Sequence, residues 1–457
     1  MRLSLSIIAV LGLFVCFGVV SCDTTPTGDF VQNEPPSTFL TVSRINREGD
    51  FRLSSQINIS WWGTDSDGYI TGYEFAIDDT TEGAWRFTSR TDSTFILPIE
   101  MGETEGNVLF KVRAVDNDGA VDSIGARLVF PIVNTPPTVE LNITEQPPDT
   151  LFRYSSFGWT INDIDGISNV LRTEIALNDT NSNWVEMPIP DGEDRVFITL
   201  GVDNETVGEK SADVFIGRSL SSADGLSVPG LRVGELNTFY VRAIDFAGAV
   251  SNIDTVSWFV KPKTSNILFL NDVAGSNAQT LARFHLNMLS EMGLQPDVWF
   301  LNDDNVLSEA FPRVIDPTLV ETLAQWDHIY WVSSGVSRNI SFALEITDLF
   351  FERGGNMFVN VPIRGVSNTN QIFNFLPIDS LGVFEQPDTG PPIPVTGFLI
   401  NRNSEVVPVN GFNGPVLRVS QRITGVSPLV PVPGATVYYE ADIQAARADG
   451  FNEDYTG

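Results

Sequence analysis

Two stretches of this 457-residue chain carry the same spaced pattern, and that repeat limits the fold more than any other feature. Trp61, Asp65, Asp67 and Gly68 in WWGTDSDG recur as Trp159, Asp163, Asp165 and Gly166 in WTINDIDG, a shared W-x3-D-x-D-G. EFAIDD at 74–79 recurs as EIALND at 174–179, and FKVRAVDNDGAVDS at 110–123 recurs as FYVRAIDFAGAVSN at 239–252. Three matches in one order mean two copies of one domain. Within each copy apolar residues alternate with polar ones, as in Ile57, Ile59 and Trp61 or Phe110, Val112 and Ala114, and Gly, Asp, Asn and Pro fill the gaps. Period two over short runs predicts antiparallel sheets buried on one face and stacked as a sandwich, with the Trp of each copy between them.

The copies are placed at 37–134 and 135–262, with the two prolines of NTPPTV (Asn134 to Val139) forming an extended joint. Trp61 and Arg113 are 52 positions apart, whereas their counterparts Trp159 and Arg242 are 83 apart. Copy two therefore carries an insertion, expected near 190–232 in a loop at one end of the sandwich, either as a decorated hairpin or as a binding loop. The aromatic-x-V-x-A-x-D strand followed by a D-x-x-G turn resembles fibronectin type III and related bacterial immunoglobulin-like modules. That resemblance implies a fold and says little about function.

The acidic turns have two readings. Asp65 and Asp67, with Asp116, Asn117 and Asp118, offer hard oxygen ligands suited to calcium, although neither run matches a twelve-residue EF-hand loop and copy two replaces the second set with Asp245, Phe246 and Ala247. Asp and Asn before Gly are also ordinary turn formers, because their side chains bond nearby backbone amides.

From about residue 263 the period changes. A continuous apolar run, Ile267 to Leu270, is followed by a helical stretch from Asn277 to Met292 with Leu281, Phe284, His285, Met288 and Leu289 on one face and Gly293 as a stop. A strand at Asp297 to Leu301, a helix near Pro317 to Gln325, the strand HIYWVSS, a helix from about Ser341 to Arg353 ended by Gly354 and Gly355, and the strand NMFVNVP complete the pattern. Strands buried on both faces and alternating with helices predict a three-layer α/β domain with a mainly parallel sheet at 263–385. WDHIYWVSSG followed by LFFERGGNMFVNVP resembles the glutamine-amidotransferase-like, ThuA-like domains of flavodoxin type. Those amidotransferases carry a cysteine in a sharp turn after a central strand, and this region has none, so the resemblance implies a degenerate member. Residues 386–457, rich in Pro, Gly and Val, read as a β-rich extension.

Candidate chemistry in this region is sparse. Ser333, Ser334 and Ser337 follow a predicted strand at the end where such sheets place ligands, and Asn271 with Asp272 occupies the same end of the first strand. None belongs to a G-x-S-x-G elbow. His328 begins the strand that Ser333 ends, roughly 16 Å away by strand rise, and His285 falls on the apolar side of a helix. NDVAGSNAQ lacks the glycine pattern of a phosphate loop and reads as a turn with Ser276 or Asn277 capping the helix.

The first 22 residues have one positive charge, Arg2, then an uncharged apolar stretch from Leu3 to Val20, which fits a signal peptide and is also long enough for a membrane anchor. Val19, Val20, Ser21 and Cys22 resemble the lipobox of bacterial lipoproteins, which implies a signal peptide at 1–21, acylation of Cys22 and a tether at 22–36. Cys16 would leave with the leader, so the exported body would have no disulfide, no thiolate metal site and no cysteine nucleophile. Only four lysines occur and the net charge is -31, which repels nucleic-acid phosphates and excludes that class of partner. The expected fold class is therefore multidomain: two all-β immunoglobulin-like sandwiches, then the α/β domain and its extension. The expected protein is an envelope lipoprotein, anchored in the membrane and periplasmic or surface-exposed, that binds or scaffolds an extracellular protein or glycan. Its alternative is an extracellular hydrolase of a glycan or peptide polymer using Asp272, Ser333 and Ser334, and no cofactor is expected beyond calcium at Asp65, Asp67, Asp116 and Asp118.

Overall fold

The computed structural model describes residues 32–42, 52–190, 192–220, 225–276, 278–301, 310–311, 317–363, 366–382, 395–447 and 452–456. The leader, Cys22, most of the tether and the helix cap at Asn277 lie outside these residues. The chain divides into two compact units, Met1–Glu100 with Thr104–Val133, and Met101–Glu103 with Asn134–Gly457.

The first unit holds module one. Its strands are β1 (Ser37–Val42), β2 (Leu53–Ser54), β3 (Gln56–Thr64), β4 (Ile70–Ile77), β5 (Arg86–Thr88), β6 (Asp92–Ile96), β7 (Glu105–Asp116) and β8 (Ala126–Val133). They form one sheet ordered β1-β3-β6 and a second ordered β2-β8-β7-β4-β5. The chain crosses between sheets at every step but β4–β5 and β7–β8, the immunoglobulin-type Greek key of two stacked layers, antiparallel except for the short parallel pair β2–β8. The alternation read from the sequence fills the space between them. Trp61 is buried there, its ring centroid within 6.4 Å of those of Tyr73, Phe75, Phe95 and Phe110.

Module two repeats the plan with β9 (Thr138–Leu141), β10 (Thr150–Leu151), β11 (Tyr154–Asn162), β12 (Val170–Leu177), β13 (Val185–Met187), β14 (Arg195–Gly201), β15 (Gly208–Ile216), β16 (Ser227–Val233), β17 (Leu236–Asp245) and β18 (Asp254–Val260). Its sheets are ordered β16-β15-β14-β11-β9 and β10-β18-β17-β12-β13. Even the register shifts coincide, between Ile70 and Gly72 in one module and between Val170 and Arg172 in the other. The insertion is therefore the β15–β16 hairpin, which begins after β14 and widens the smaller sheet from three strands to five. It is not a loop at the sandwich end, and residues 195–201 belong to the shared core. Ala212, Val214, Val228, Leu231 and Val233 bury their side chains in module two's core, so the hairpin is held by the same hydrophobic burial as the rest of the sandwich.

Beyond Lys263, four parallel strands form a sheet: β19 (Ile267–Asp272), β20 (Asp297–Phe300), β21 (His328–Ser333) and β22 (Asn356–Asn360), in the order β20-β19-β21-β22. Alternate residues leave on opposite faces. Phe269, Val332 and Tyr330 meet the helix Ala278–Glu291, while Leu268, Leu270, Trp299 and Trp331 meet shorter helices at Pro317–Leu323, Ala343–Ile346, Asp348–Glu352 and Ile372–Phe375. Two local expectations change. The buried face of Ala278–Glu291 is Ala278, Ala282, His285 and Leu289, spaced by four, three and four, and Phe284 sits one position off that stripe and is exposed. The helix expected over 341–353 is broken at Thr347, whose hydroxyl bonds back to the Ala343 carbonyl at 2.6 Å.

Module two and this sheet share a core. Leu151 and Phe152 belong to the cluster containing Trp299, Trp326 and Trp331, with Phe152 4.8 Å from Trp326 and 5.4 Å from Trp299 between ring centroids. The connecting residues are fastened as well. Lys261 Nζ donates to the Val298 carbonyl at 2.6 Å, and buried Asp297 accepts from the Thr264 N–H and hydroxyl, the Ser265 N–H and Trp326 Nε1. The extension is different in kind. Strands from Val395 to Thr456 form a six-stranded sheet centred on Tyr439–Arg447, and Ile378–Leu381 pairs with Leu429–Pro431. Among its described residues only Leu399 is fully buried. No helix among the described residues is long and apolar enough to cross a membrane.

Candidate functional site

The chain leaves β19 toward β20 on one side and returns to β21 on the other. The ends of β19 and β21 thus form the switch point where open parallel sheets place ligands. Asp272 and Ser333 are register partners there. Asp272 is fully buried, and both its oxygens are engaged. Oδ1 accepts from Asn339 Nδ2 at 2.7 Å, and Oδ2 accepts from Ser333 Oγ at 3.0 Å and the Ile340 N–H at 3.2 Å. Arg338 Nε lies 4.0 Å from Oδ1. Asn271, equally buried, donates from Nδ2 to the Ala278 carbonyl and accepts the Val273 N–H. Ser334 Oγ accepts the Ala274 N–H at 3.3 Å, while Ser337 is exposed.

This arrangement ties the loop after β19 to the loop after β21. A carboxylate whose two oxygens are already taken by three donors, and which solvent does not reach, is poorly placed to engage or attack a substrate. Ser333 has no histidine within reach. His328 is exposed at the other end of β21, and His285 Nδ1 lies 3.0 Å from the Tyr330 hydroxyl on the face under the long helix, where burial lowers its pKa. The structure therefore brings Asp272, Ser333 and Asn339 together as a polar lock and leaves Ser334, Ser337 and both histidines outside it. Asn339 was absent from the sequence reading. It lies six residues past a strand end, in a loop whose path only the fold reveals.

The acidic turns occupy the same end of both sandwiches. In module one, Asp116 Oδ1 accepts the backbone N–H groups of Asp118 and Ala120, and Oδ2 takes Asn33 Nδ2 at 2.7 Å. The Asn33 amide, helped by those N–H groups, holds the Asp116 carboxyl below its ordinary value. Asp67 Oδ2 accepts the Glu34 N–H at 3.0 Å. Burial raises the Asp65 carboxyl, and the charges of Asp67 and Asp116 add to that. Asp118 is exposed and takes the Asn117 side-chain amide, so it belongs to the turn rather than to the carboxylate group.

Module two repeats this with its own residues. Asn134 Nδ2 donates to Asp245 Oδ2 at 2.6 Å, and the Thr135 N–H donates to Asp165 Oδ2 at 2.6 Å. Here burial, with the neighbouring charges of Asp165 and Asp245, pushes Asp163 up to about 6. Asn33 and Asn134 were missed as partners, although the signal stood in the sequence: N-E-P-P precedes module one and N-T-P-P precedes module two.

No protein-family model and no curated protein matches the chain. Among solved structures, the fibronectin(III)-like modules of Clostridium thermocellum CbhA share 16% identity over 49% of this chain and 95% of theirs, with a TM-score of 0.17. The central fibronectin-III array of RIM-binding protein shares 15% over 52% of this chain and 72% of its own, with a TM-score of 0.15. The PKD1 domain of Vibrio anguillarum Epp shares 11% over 22% of this chain and 98% of its own, with a TM-score of 0.16. At these scores the likeness adds nothing to the strand order, on which the reading of the sandwiches rests.

Proposed function

We propose that this chain is a lipid-anchored protein of the bacterial cell envelope, held through Cys22, whose body binds or scaffolds an extracellular protein or glycan without catalysing a reaction. The reading rests chiefly on Asp272. This carboxylate, at the switch point of the parallel sheet, is closed off by Ser333, Asn339 and the Ile340 N–H. Residues 263–385 read best as a flavodoxin-type three-layer domain of the amidotransferase-like kind without its nucleophile, since helices cover both faces of the sheet and no cysteine follows residue 22. Module two, packed into that domain through Phe152, serves as its base.

Assaying the full chain and its Asp272→Ala variant on a panel of glycans and peptides tests this directly. The expected outcome is no turnover by either, with the variant destabilised by about 3–5 kcal/mol because it leaves buried donors without their acceptor. Turnover by the parent that the substitution abolishes would establish the hydrolase instead. Mass spectrometry of the mature N-terminus from cells is expected to show acyl chains on Cys22, and an intact leader would remove the anchor from the account.

A further inference from the structure

Buried carboxylates in this chain meet donors almost everywhere: Asp116, Asp272, Asp297 and Glu174 each accept two or more hydrogen bonds. Among the described residues, the carboxylate oxygens that are buried without a donor are three, Asp65 Oδ2, Asp163 Oδ2 and Asp165 Oδ1. All three lie in the repeated D-x-D-G turn, and two of them belong to the one turn of module two.

That turn is tightly built. Asp163 Oδ1 accepts the Asp165 N–H at 2.7 Å, the Asp163 carbonyl accepts the Gly166 N–H at 3.1 Å, and Gly166 takes φ of 107°, a backbone that favours glycine. Asp163 and Asp165 are each 7% exposed. Asp245 adds a third negative charge from the end of β17, with its own oxygens held by Asn134 Nδ2 and the Ala249 N–H. Among the described residues no ion pair includes any of the three. An unpaired anionic oxygen removed from water is costly, and the remedies open to it are a proton or a cation.

We propose that the Asp163–Asp165 turn is a calcium site, with Asp163 Oδ2 and Asp165 Oδ1 as its protein ligands and Asp245 supplying supporting charge. Calcium suits a turn that offers only two hard carboxylate oxygens, because it accepts six to eight ligands in flexible geometry, whereas magnesium demands a regular octahedron. Among the described residues no three His, Cys, Asp or Glu side chains converge on one metal position. Only two protein carboxylates place the affinity at the weak end, about 10⁻⁴–10⁻³ M, the range of extracellular modules. The residue pattern left calcium as the alternative to ordinary turns, and placed it in module one at Asp65, Asp67, Asp116 and Asp118. In module one Asp67 is exposed and only one oxygen is left over, while in module two both aspartates are buried and each keeps one.

Isothermal titration of the EDTA-stripped full chain with CaCl2 alone, and of its Asp163→Asn and Asp165→Asn variants, is the test. The expected result is saturable binding that weakens at least tenfold in either variant, with circular dichroism confirming that each is folded. Calcium is also expected to raise the melting temperature of the unit containing module two in the parent only. Absence of binding at about ten times the weakest expected dissociation constant, or binding that neither substitution alters, overturns the proposal. So does a parent whose melting ignores calcium while Asp163→Asn stabilises it, since a proton then serves in the cation's place. Should one variant fail to fold, the other and the parent's own titration decide.

Discussion

Module one and module two begin from the same eight strands in the same pairings, yet one stands as a unit of its own and the other is continuous with a parallel sheet. Two local changes set module two apart from module one. Module two inserts the β15–β16 hairpin beside β14, covering the sheet edge that β6 presents in module one. It also places Phe152 after β10, where the aromatic ring enters the core beneath Trp299 and Trp326. On the outer face the contrast runs the other way: Phe39 and Trp62 of module one stack at 5.5 Å, 44% and 47% exposed, where the register pair of module two is Glu140 and Thr160. A sandwich thus becomes a base for another domain through a few side chains at one edge, with the strand plan untouched.

The largest expected break in that comparison is Phe152→Ala. Removing a ring packed between Trp299 and Trp326 is expected to destabilise the second unit by about 3–5 kcal/mol, read by denaturant midpoint, while the transition of module one stays in place. Equal shifts in both units would contradict the shared core. Asp297→Ala comes next, at about 2–3 kcal/mol, since the Thr264, Ser265 and Trp326 donors lose their common acceptor. An unchanged midpoint would show that the connecting residues are held some other way.

The expected effect of acid is smaller. Burial alone would raise the Glu174 carboxyl, but the hydrogen bonds and charges of Arg172 and Arg242 outweigh it and hold it below its ordinary 4.5. A depressed carboxyl contributes stability that is complete above the unfolded value and is lost as the pH falls through the folded one. Module two is therefore expected to lose more stability below about pH 4.5 in the parent than in Glu174→Gln, and parallel curves would dismiss the pairing. Smallest is Trp62→Thr, which copies the residue of module two onto an exposed position. Thermal melting is expected to move by no more than about 0.5 kcal/mol, and a large loss would mean that the exposed stack is structural.

Much of this architecture was written in local pattern. The period-two runs around Trp61 and Phe110, the repeat of both motifs and the both-faces-apolar strand Ile267–Leu270 each report a backbone period, and period survives any tertiary context. What stayed hidden was long-range. The hairpin and the shared core depend on which edge a strand joins, and Phe152 looks like any loop aromatic until Trp326 arrives 174 positions later. The polar lock shows the same limit. Asp272 and Ser333 were legible as strand ends, but the carboxylate's role follows from Asn339 and Ile340, which the sequence gives no reason to bring near. In the D-x-D-G turns the residue types left calcium and an ordinary turn both open, whereas burial, a property of the packed sandwich, is what sets the aspartates of module two apart from those of module one.

Differential scanning calorimetry of the full chain tests most directly whether module two and the parallel sheet are one body. Two transitions are expected, the smaller for module one and the larger for everything from module two to the sheet, with Phe152→Ala lowering the larger as a whole. Three separate transitions, or a Phe152→Ala scan in which module two keeps its melting temperature while the sheet alone loses its own, would contradict the account.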